Sequence, residues 1–167
     1  NEAASGLFKR IAGIHPDRKL PKFPSEGFPA WAKKRGLDQT REGPGKKVAY
    51  FAGCTAQYYF PEVAKAAVEV MEHNGMNVYV TDQKCCGMPS LLEGDRKFTF
   101  ELAAFNLETL GEAVDEGYDI VCSCPTCGYV LKDLFGEGAY YSDDYRAMVK
   151  KLQSEFGGDV NKIPLDR

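Results

Sequence analysis

The chain has 167 residues, 44% of them hydrophobic, which is enough to bury one good core but too little for two large domains. Its 21 basic and 24 acidic residues give a net charge of −3 with neither sign concentrated, which argues against nucleic acid as a partner. No run approaches the roughly 20 apolar residues of a membrane span, and residues 1–6 lack the charged-then-apolar order of an export signal. We therefore expect a soluble cytoplasmic protein.

Residues 1–45 show little helical or alternating periodicity and are rich in proline, so we predict an extended N-terminal arm or linker. Phe23, Phe28 and Trp31 are larger and more apolar than a solvated linker needs. Part of the arm is therefore expected to pack on a surface, either of its own domain or of a neighbour. Because the chain starts without methionine and stops abruptly, we expect a piece cut from a longer polypeptide with a C-terminal tail at 161–167.

From residue 46 to about 160, short apolar runs alternate with segments of helical spacing. The runs at 48–52, 77–81 and 118–122 predict three strands. Helices are predicted after Pro61, over about 95–116 and from Pro125, with one more helix beyond residue 134. The order β-α-β-α-β-α predicts a parallel sheet with helices on its faces, which is an α/β three-layer sandwich.

The chain contains six cysteines, a number that would suit a disulfide framework in a small secreted protein. The apolar content is adequate for a core, however, and no export signal is visible, so we favour a reducing compartment. Thiols in such a compartment usually serve metal binding or redox chemistry.

Three groups of cysteines follow the three predicted strands: Cys54, the pair Cys85 and Cys86, and the pair Cys124 and Cys127. Open α/β sheets bind ligands at the carboxyl ends of their strands, so these five thiols are expected to meet. A [4Fe–4S] cluster and tetrahedral zinc each take four thiolates. Five thiols indicate either an unusual cluster with extra or bridging thiolate ligation, or an ordinary centre beside one free thiolate.

Adjacent cysteines pose a geometric problem, because neighbouring side chains diverge on a regular strand or helix. Gly87 is predicted to let the chain turn after the pair by adopting a backbone conformation that other residues avoid. Cys122 ends the third predicted strand outside the motif, and we expect it to be a buried strand thiol. His15 and His73 are isolated and are predicted to be surface residues rather than ligands.

The cysteine motif, C-x(30)-CCG-x(36)-C-x-x-C, resembles the cysteine-rich CCG domain found in the B subunit of heterodisulfide reductase. The surrounding segments are similar to iron–sulfur subunits of respiratory flavoenzymes, namely the C subunit of anaerobic glycerol-3-phosphate dehydrogenase and those of glycolate- and lactate-oxidising enzymes. The resemblance covers roughly residues 47–134. It is carried by Phe51-Ala52-Gly53-Cys54, Cys85-Cys86-Gly87-Met88-Pro89 and Cys124-Pro125-Thr126-Cys127-Gly128.

The resemblance implies that the chain is half of a two-domain CCG architecture and that it binds an iron–sulfur cluster. The implied cluster is a [4Fe–4S] cluster, which in heterodisulfide reductase is noncubane. The implied ligands are Cys54, Cys85, Cys86, Cys124 and Cys127. It implies an electron-transfer module that passes electrons between a flavin dehydrogenase and a quinone or disulfide acceptor. Flavoprotein and ferredoxin-type subunits or domains are the implied partners, and through them the module would lie at the inner face of the cell membrane.

Two alternatives remain at this point. The first is catalytic disulfide reduction at the cluster, for which a cofactor-sized cleft would be needed. The second is a zinc-stabilised structural or interaction domain. The sequence contains neither a glycine-rich dinucleotide fingerprint nor an obvious acid–base or nucleophile–base pair, so service within a larger oxidoreductase is favoured over independent catalysis.

Overall fold

The fold is a small parallel sheet covered by helices. The computed structural model describes residues 2–19, 24–40, 42–136 and 141–156. The strands are β1 (Lys47–Phe51), β2 (Asn77–Tyr79) and β3 (Asp119–Cys122). The helices are α1 (Glu2–Ile11), α2 (Phe28–Lys34), α3 (Gly53–Tyr58), α4 (Pro61–His73), α5 (Met88–Leu92), α6 (Arg96–Asp115), α7 (Pro125–Tyr129) and α8 (Ser142–Phe156). A π-helical turn, Val130–Leu134, continues α7.

The sheet has the order β2-β1-β3, and both strand pairs are parallel. Strand β1 is central, and its residues alternate between two cores because successive side chains point to opposite faces. Val48 and Tyr50 pack in a core with residues of α2 and α4, whereas Phe51 packs in a second core with residues of α6 and α8. The predicted α/β architecture with a small parallel sheet is confirmed.

The helix boundaries within this unit follow the signals in the sequence. Helix α4 begins at Pro61, where a missing N–H costs nothing, and the chain leaves it through Gly75 at φ +74°. Helix α6 is capped by Asp95, whose side chain accepts a hydrogen bond from the Phe98 amide at 3.1 Å. The short helices α3 and α5 were not predicted, because five or six residues are too few to show a helical period.

The prediction of an extended N-terminal arm is wrong for two segments, which form α1 and α2. Pro29 lies in the first turn of α2, where proline is compatible with a helix, and the segment that forms α1 contains no proline. Phe23 lies outside the described residues, as does the tail predicted at 161–167. None of the described helices is long and apolar enough to cross a membrane.

The second half of this N-terminal segment packs on the chain's own domain. Phe28 is fully buried, and its ring meets the Tyr50 ring edge-on with 5.8 Å between centroids. Trp31 packs against the same core, and the Leu37 carbonyl accepts a hydrogen bond from the Val80 amide at 2.7 Å. The expectation that part of the arm packs on a surface is therefore confirmed, and the surface belongs to the same chain.

We expect Phe28→Ala to lower the free energy of unfolding by about 3–5 kcal/mol, because it removes a fully buried aromatic ring from the core. Chemical denaturation followed by circular dichroism measures this loss. Leu7→Ala is the matched control, since Leu7 on α1 is 62% exposed and should change the free energy of unfolding by less than about 0.5 kcal/mol. Equal effects of the two substitutions would contradict the packing described here.

Candidate metal centre

The three cysteine groups lie beyond the carboxyl ends of the strands, as predicted. Phe51, the last residue of β1, is paired in register with Cys122, the last residue of β3. Cys54 is the second residue of α3, two residues beyond the buried Ala52. Cys124 is the N-cap residue of α7. The cysteines that follow the strands therefore lie at one edge of the sheet.

At this edge the structure brings the five predicted thiols together. The Sγ atoms of Cys54 and Cys85 are 3.4 Å apart, within hydrogen-bonding distance for sulfur. Cys86 and Cys127 are both buried in the same apolar cluster. Four of the five pack into the apolar core on the α6 face of the sheet, and Cys54 joins them through Cys85. The four are Cys85, Cys86, Cys124 and Cys127.

Burial differs among these thiols, and hydrogen bonds together with burial raise the pKa of two of them, Cys54 and Cys86. Cys86 and Cys127 are only 3% and 4% exposed, whereas Cys54, Cys85 and Cys124 are partly exposed. The hydrogen bond to Cys127, together with burial, raises the pKa of Cys86 to about 11. The hydrogen bond to Cys85 and burial raise the pKa of Cys54 well above its ordinary value.

Cys124 is the exception, because its environment favours the thiolate. Desolvation acts to raise its pKa, but hydrogen bonds from the backbone and side chains of Cys127 and Thr126 outweigh it and lower the pKa of Cys124. The amides of the first turn of a helix have no partners within the helix, so a sulfur at the N-cap position can accept from them. The start of α7 therefore offsets negative charge on this sulfur.

Gly87 makes the turn that the adjacent cysteines require. Its φ is +91°, in the left-handed region that glycine adopts without penalty, as the sequence predicted. The turn is fixed by Ser90, whose hydroxyl donates to the Gly87 carbonyl at 2.9 Å and lies 2.8 Å from the Thr99 hydroxyl. A side chain at Gly87 would also lie 3.0 Å from the Thr99 methyl group.

Gly53 allows α3 to approach Cys127 closely. It has φ +75°, and a Cβ atom placed there would lie 2.8 Å from the Cys127 sulfur. Carbon and sulfur do not approach to that distance, so any other residue here would displace the Cys127 sulfur. The residue before Cys54 is therefore in contact with the third cysteine group.

Two amide side chains that sequence reasoning missed hold the backbone around the thiols. Gln83 precedes the cysteine pair, and its Oε1 accepts hydrogen bonds from the amides of Ala52 at 2.8 Å and Gly53 at 3.1 Å. Asn106, fully buried on α6, bonds the backbone of Lys84 and Cys85. The signal for Asn106 was a polar residue on the buried face of a long helix, where an unpaired amide is costly.

Cys122 also lies among the thiols. It packs into the same apolar core, where burial and the neighbouring Cys124 and Cys86 sulfurs raise its pKa to about 11. It is only partly buried, since it also lines an apolar cleft of about 750 Å³ between α6, β3 and the π-helical turn. The prediction of a buried strand thiol was therefore incomplete, because Cys122 faces both the thiol cluster and the cleft.

The chemistry of these donors, although not their spacing in this structure, suits a thiolate-bound metal centre. Soft thiolate ligands select zinc or iron–sulfur clusters, and the apolar surroundings of Cys86 and Cys127 would exclude water from either. His15 and His73 are exposed, as predicted. Among the residues that the structure describes, no three His, Cys, Asp or Glu side chains are spaced to hold a single metal ion.

The parallel sheet and the thiols gathered at its carboxyl edge define a cysteine-rich α/β domain. The model of the CCG cysteine-rich domain matches residues 48–132, and the chain belongs to that family. The resemblance inferred from the cysteine motif is confirmed. No solved structure matches the chain with statistical significance.

Relatives with similar sequences come from bacteria and archaea. The chain is 30% identical to the C subunit of anaerobic glycerol-3-phosphate dehydrogenase of Escherichia coli (strain K12), over 72% of this chain and 30% of the relative. It is 34% identical to the B subunit of fumarate reductase (CoM/CoB) of Methanothermobacter marburgensis, over 58% of this chain and 19% of the relative. It is 29% identical to an uncharacterised iron–sulfur protein of Methanococcus maripaludis, over 75% of this chain and 24% of the relative. The chain thus spans less than a third of the length of each.

Proposed function

We propose that this chain is an iron–sulfur electron-transfer module of a larger oxidoreductase. The observation that carries the proposal is the convergence of five thiols at the carboxyl edge of the sheet, with Cys86 and Cys127 buried in apolar surroundings. The names of the relatives support it, since they include an iron–sulfur protein and subunits of a dehydrogenase and a fumarate reductase.

The proposed ligands are the five thiols of the motif, and the chain contributes positioning and shielding. A bound iron–sulfur cluster would supply the capacity to accept and release single electrons. Gly53 and Gly87 have positive φ values and let the backbone turn immediately before Cys54 and immediately after Cys86. The first turn of α7 lowers the pKa of Cys124, and hydrogen bonds from its amides to a bound thiolate would adjust a cluster's reduction potential. The ligands are Cys54, Cys85, Cys86, Cys124 and Cys127.

In this proposal the module passes electrons between partner subunits rather than converting a substrate alone. A flavoprotein dehydrogenase and a ferredoxin-type partner are the proposed electron donors, and a quinone or a disulfide is the proposed final acceptor. The glycerol-3-phosphate dehydrogenase and fumarate reductase relatives are themselves named as subunits. Association with the inner face of the cell membrane would then come through these partners.

A second candidate, catalytic disulfide reduction, is favoured by the cleft beside the thiols. Its volume of about 750 Å³ lies in the range of small-molecule sites, and Cys122 joins it to the core that contains Cys86. The reaction consumes two electrons and two protons per disulfide and releases two thiols. A module that carries one electron must react twice per disulfide, so formation of one thiol per reduced module, after excess reductant has been removed, would establish this activity. Electron transfer without thiol release would exclude it.

The proposed function is tested by one-electron redox cycling of the protein after cluster reconstitution without oxygen. We expect dithionite to bleach the visible absorption band and a quinone analogue to restore it, with an electron paramagnetic resonance signal in one of the two states. Zinc does not change oxidation state. A colourless protein that takes up zinc and shows no cycling would contradict the proposal and favour the zinc-stabilised domain.

A further inference from the structure

The segment that carries Cys85 and Cys86 has no strand or helix to hold it. It runs from the end of β2 at Tyr79 to the start of α5 at Met88. Buried backbone N–H and C=O groups need partners, and a segment outside regular structure must find them among side chains or water. The position of the two thiols therefore depends on whatever fixes this backbone.

Asn106 supplies three of the missing partners from α6. Its Oδ1 accepts a hydrogen bond from the Lys84 amide at 2.8 Å. Its Nδ2 donates to the Cys85 carbonyl at 3.0 Å and to the Lys84 carbonyl at 3.4 Å. The Asn106 side chain is fully buried, and the three bonds that it makes are part-buried. One amide group thus takes the place of a neighbouring strand along the residues that lead into the cysteine pair.

Gln83 ties the other side of the same segment to the turn that carries Cys54. Its Nε2 donates to the Tyr50 carbonyl at 3.1 Å, and its Oε1 accepts from the amides of Ala52 and Gly53. The segment is therefore bound to β1 and α3 by Gln83 and to α6 by Asn106. The 3.4 Å approach of the Cys54 and Cys85 sulfurs lies between these two attachments.

We propose that Asn106 is a positioning residue for the metal centre, holding Cys85 and Cys86 in register with Cys54 while Gln83 fixes the opposite side. The role of Asn106 at a metal centre rests on the proposed function. The positions of the thiols that Asn106 fixes, however, can be measured without a metal. Leucine has the branched shape of asparagine and the same number of side-chain heavy atoms, with bulkier methyl groups and none of its hydrogen bonds. Asn106→Leu would therefore release the backbone of the pair without emptying the core.

The first test measures thiol proximity in the metal-free protein, so that it stands even if the bound metal proves to be zinc. Diamide oxidises two neighbouring thiols to a disulfide and is itself reduced to the hydrazine. The Cys54–Cys85 disulfide is quantified by alkylation of the remaining thiols and peptide mass mapping. We expect Asn106→Leu to slow its formation about ten-fold, because small displacements of reacting groups cost large factors in rate.

Val68→Ala is the matched control, because Val68 is fully buried on α4 and packs in the core on the opposite face of the sheet. It should lower stability while leaving the rate of disulfide formation unchanged. If Asn106→Leu fails to fold, Gln83→Met is the second variant, because it keeps the side-chain length and removes the hydrogen bonds to β1 and α3. Gln83→Met should also slow formation of the Cys54–Cys85 disulfide.

The second test measures metal binding directly. After reconstitution, Asn106→Leu should bind less iron or shift the electron paramagnetic resonance spectrum, whereas Val68→Ala should match the wild type in both. Wild-type disulfide rates and a wild-type spectrum in Asn106→Leu would overturn the inference. Equal losses in Asn106→Leu and Val68→Ala would also overturn it, since they would show a general effect of stability.

Discussion

Replacing Cys127 with serine is expected to reduce bound iron and acid-labile sulfide to about a tenth of the wild-type amount or less, since cluster binding depends on thiolate ligands. Cys127 is 4% exposed, lies in the same buried cluster as Cys86, and its sulfur would be 2.8 Å from a Cβ atom placed at Gly53. Iron and sulfide assays on protein reconstituted without oxygen measure the loss, and circular dichroism checks that the variant is folded.

Cys122→Ala is the matched control for this substitution. Cys122 lies in the same apolar core but outside the cysteine motif, and it is not among the proposed ligands. We expect the variant to keep the wild-type content of iron and sulfide. If Cys122→Ala lost the cluster while Cys127→Ser kept it, the proposed ligand set would be wrong.

The second large effect is expected from Gly53→Ala. This residue has φ +75°, and the added methyl group would lie 2.8 Å from the Cys127 sulfur. The variant must therefore bear backbone strain of about 1–2 kcal/mol and must also displace a ligand sulfur. We expect it to lose most of its bound iron, measured as for the cysteine variants.

Gly75→Ala is the control that distinguishes the effect of backbone strain from the effect of displacing the Cys127 sulfur. Gly75 has nearly the same φ, +74°, but an added methyl group there would meet no atom within 4 Å. It should lower the free energy of unfolding by about 1–2 kcal/mol and leave the iron content unchanged. Comparable iron losses in the two glycine variants would show that the close contact between Gly53 and Cys127 does not matter for the centre.

The elements that the sequence predicts well are those with a long or strongly apolar pattern. Strand β1 reads as a continuous apolar run because it is buried on both faces, and α4 carries a proline at its start and a glycine beyond its end. The convergence of the thiols was also predictable, because parallel strands place their carboxyl ends at one edge of the sheet.

The elements that were missed depend on contacts that a local pattern does not show. The prolines of residues 1–45 predict an extended arm where α2 forms, yet Phe28 packs against Tyr50, a partner distant in the sequence. Asn106 is recognisable as a positioning residue only when the backbone of Lys84 is seen beside it. In the same way, the sequence alone predicts that Cys122 is a buried apolar residue of a strand. Only the structure shows that it lies between the cleft and the other thiols.

The central claim, that these thiols hold an iron–sulfur cluster for electron transfer, is tested most directly by the content of metal and sulfide. The measurement is iron, zinc and acid-labile sulfide per chain, with a visible spectrum, on protein reconstituted without oxygen. We predict about four irons and four sulfides with a visible band that bleaches on reduction. Stoichiometric zinc without sulfide would contradict the claim and leave a zinc-stabilised domain.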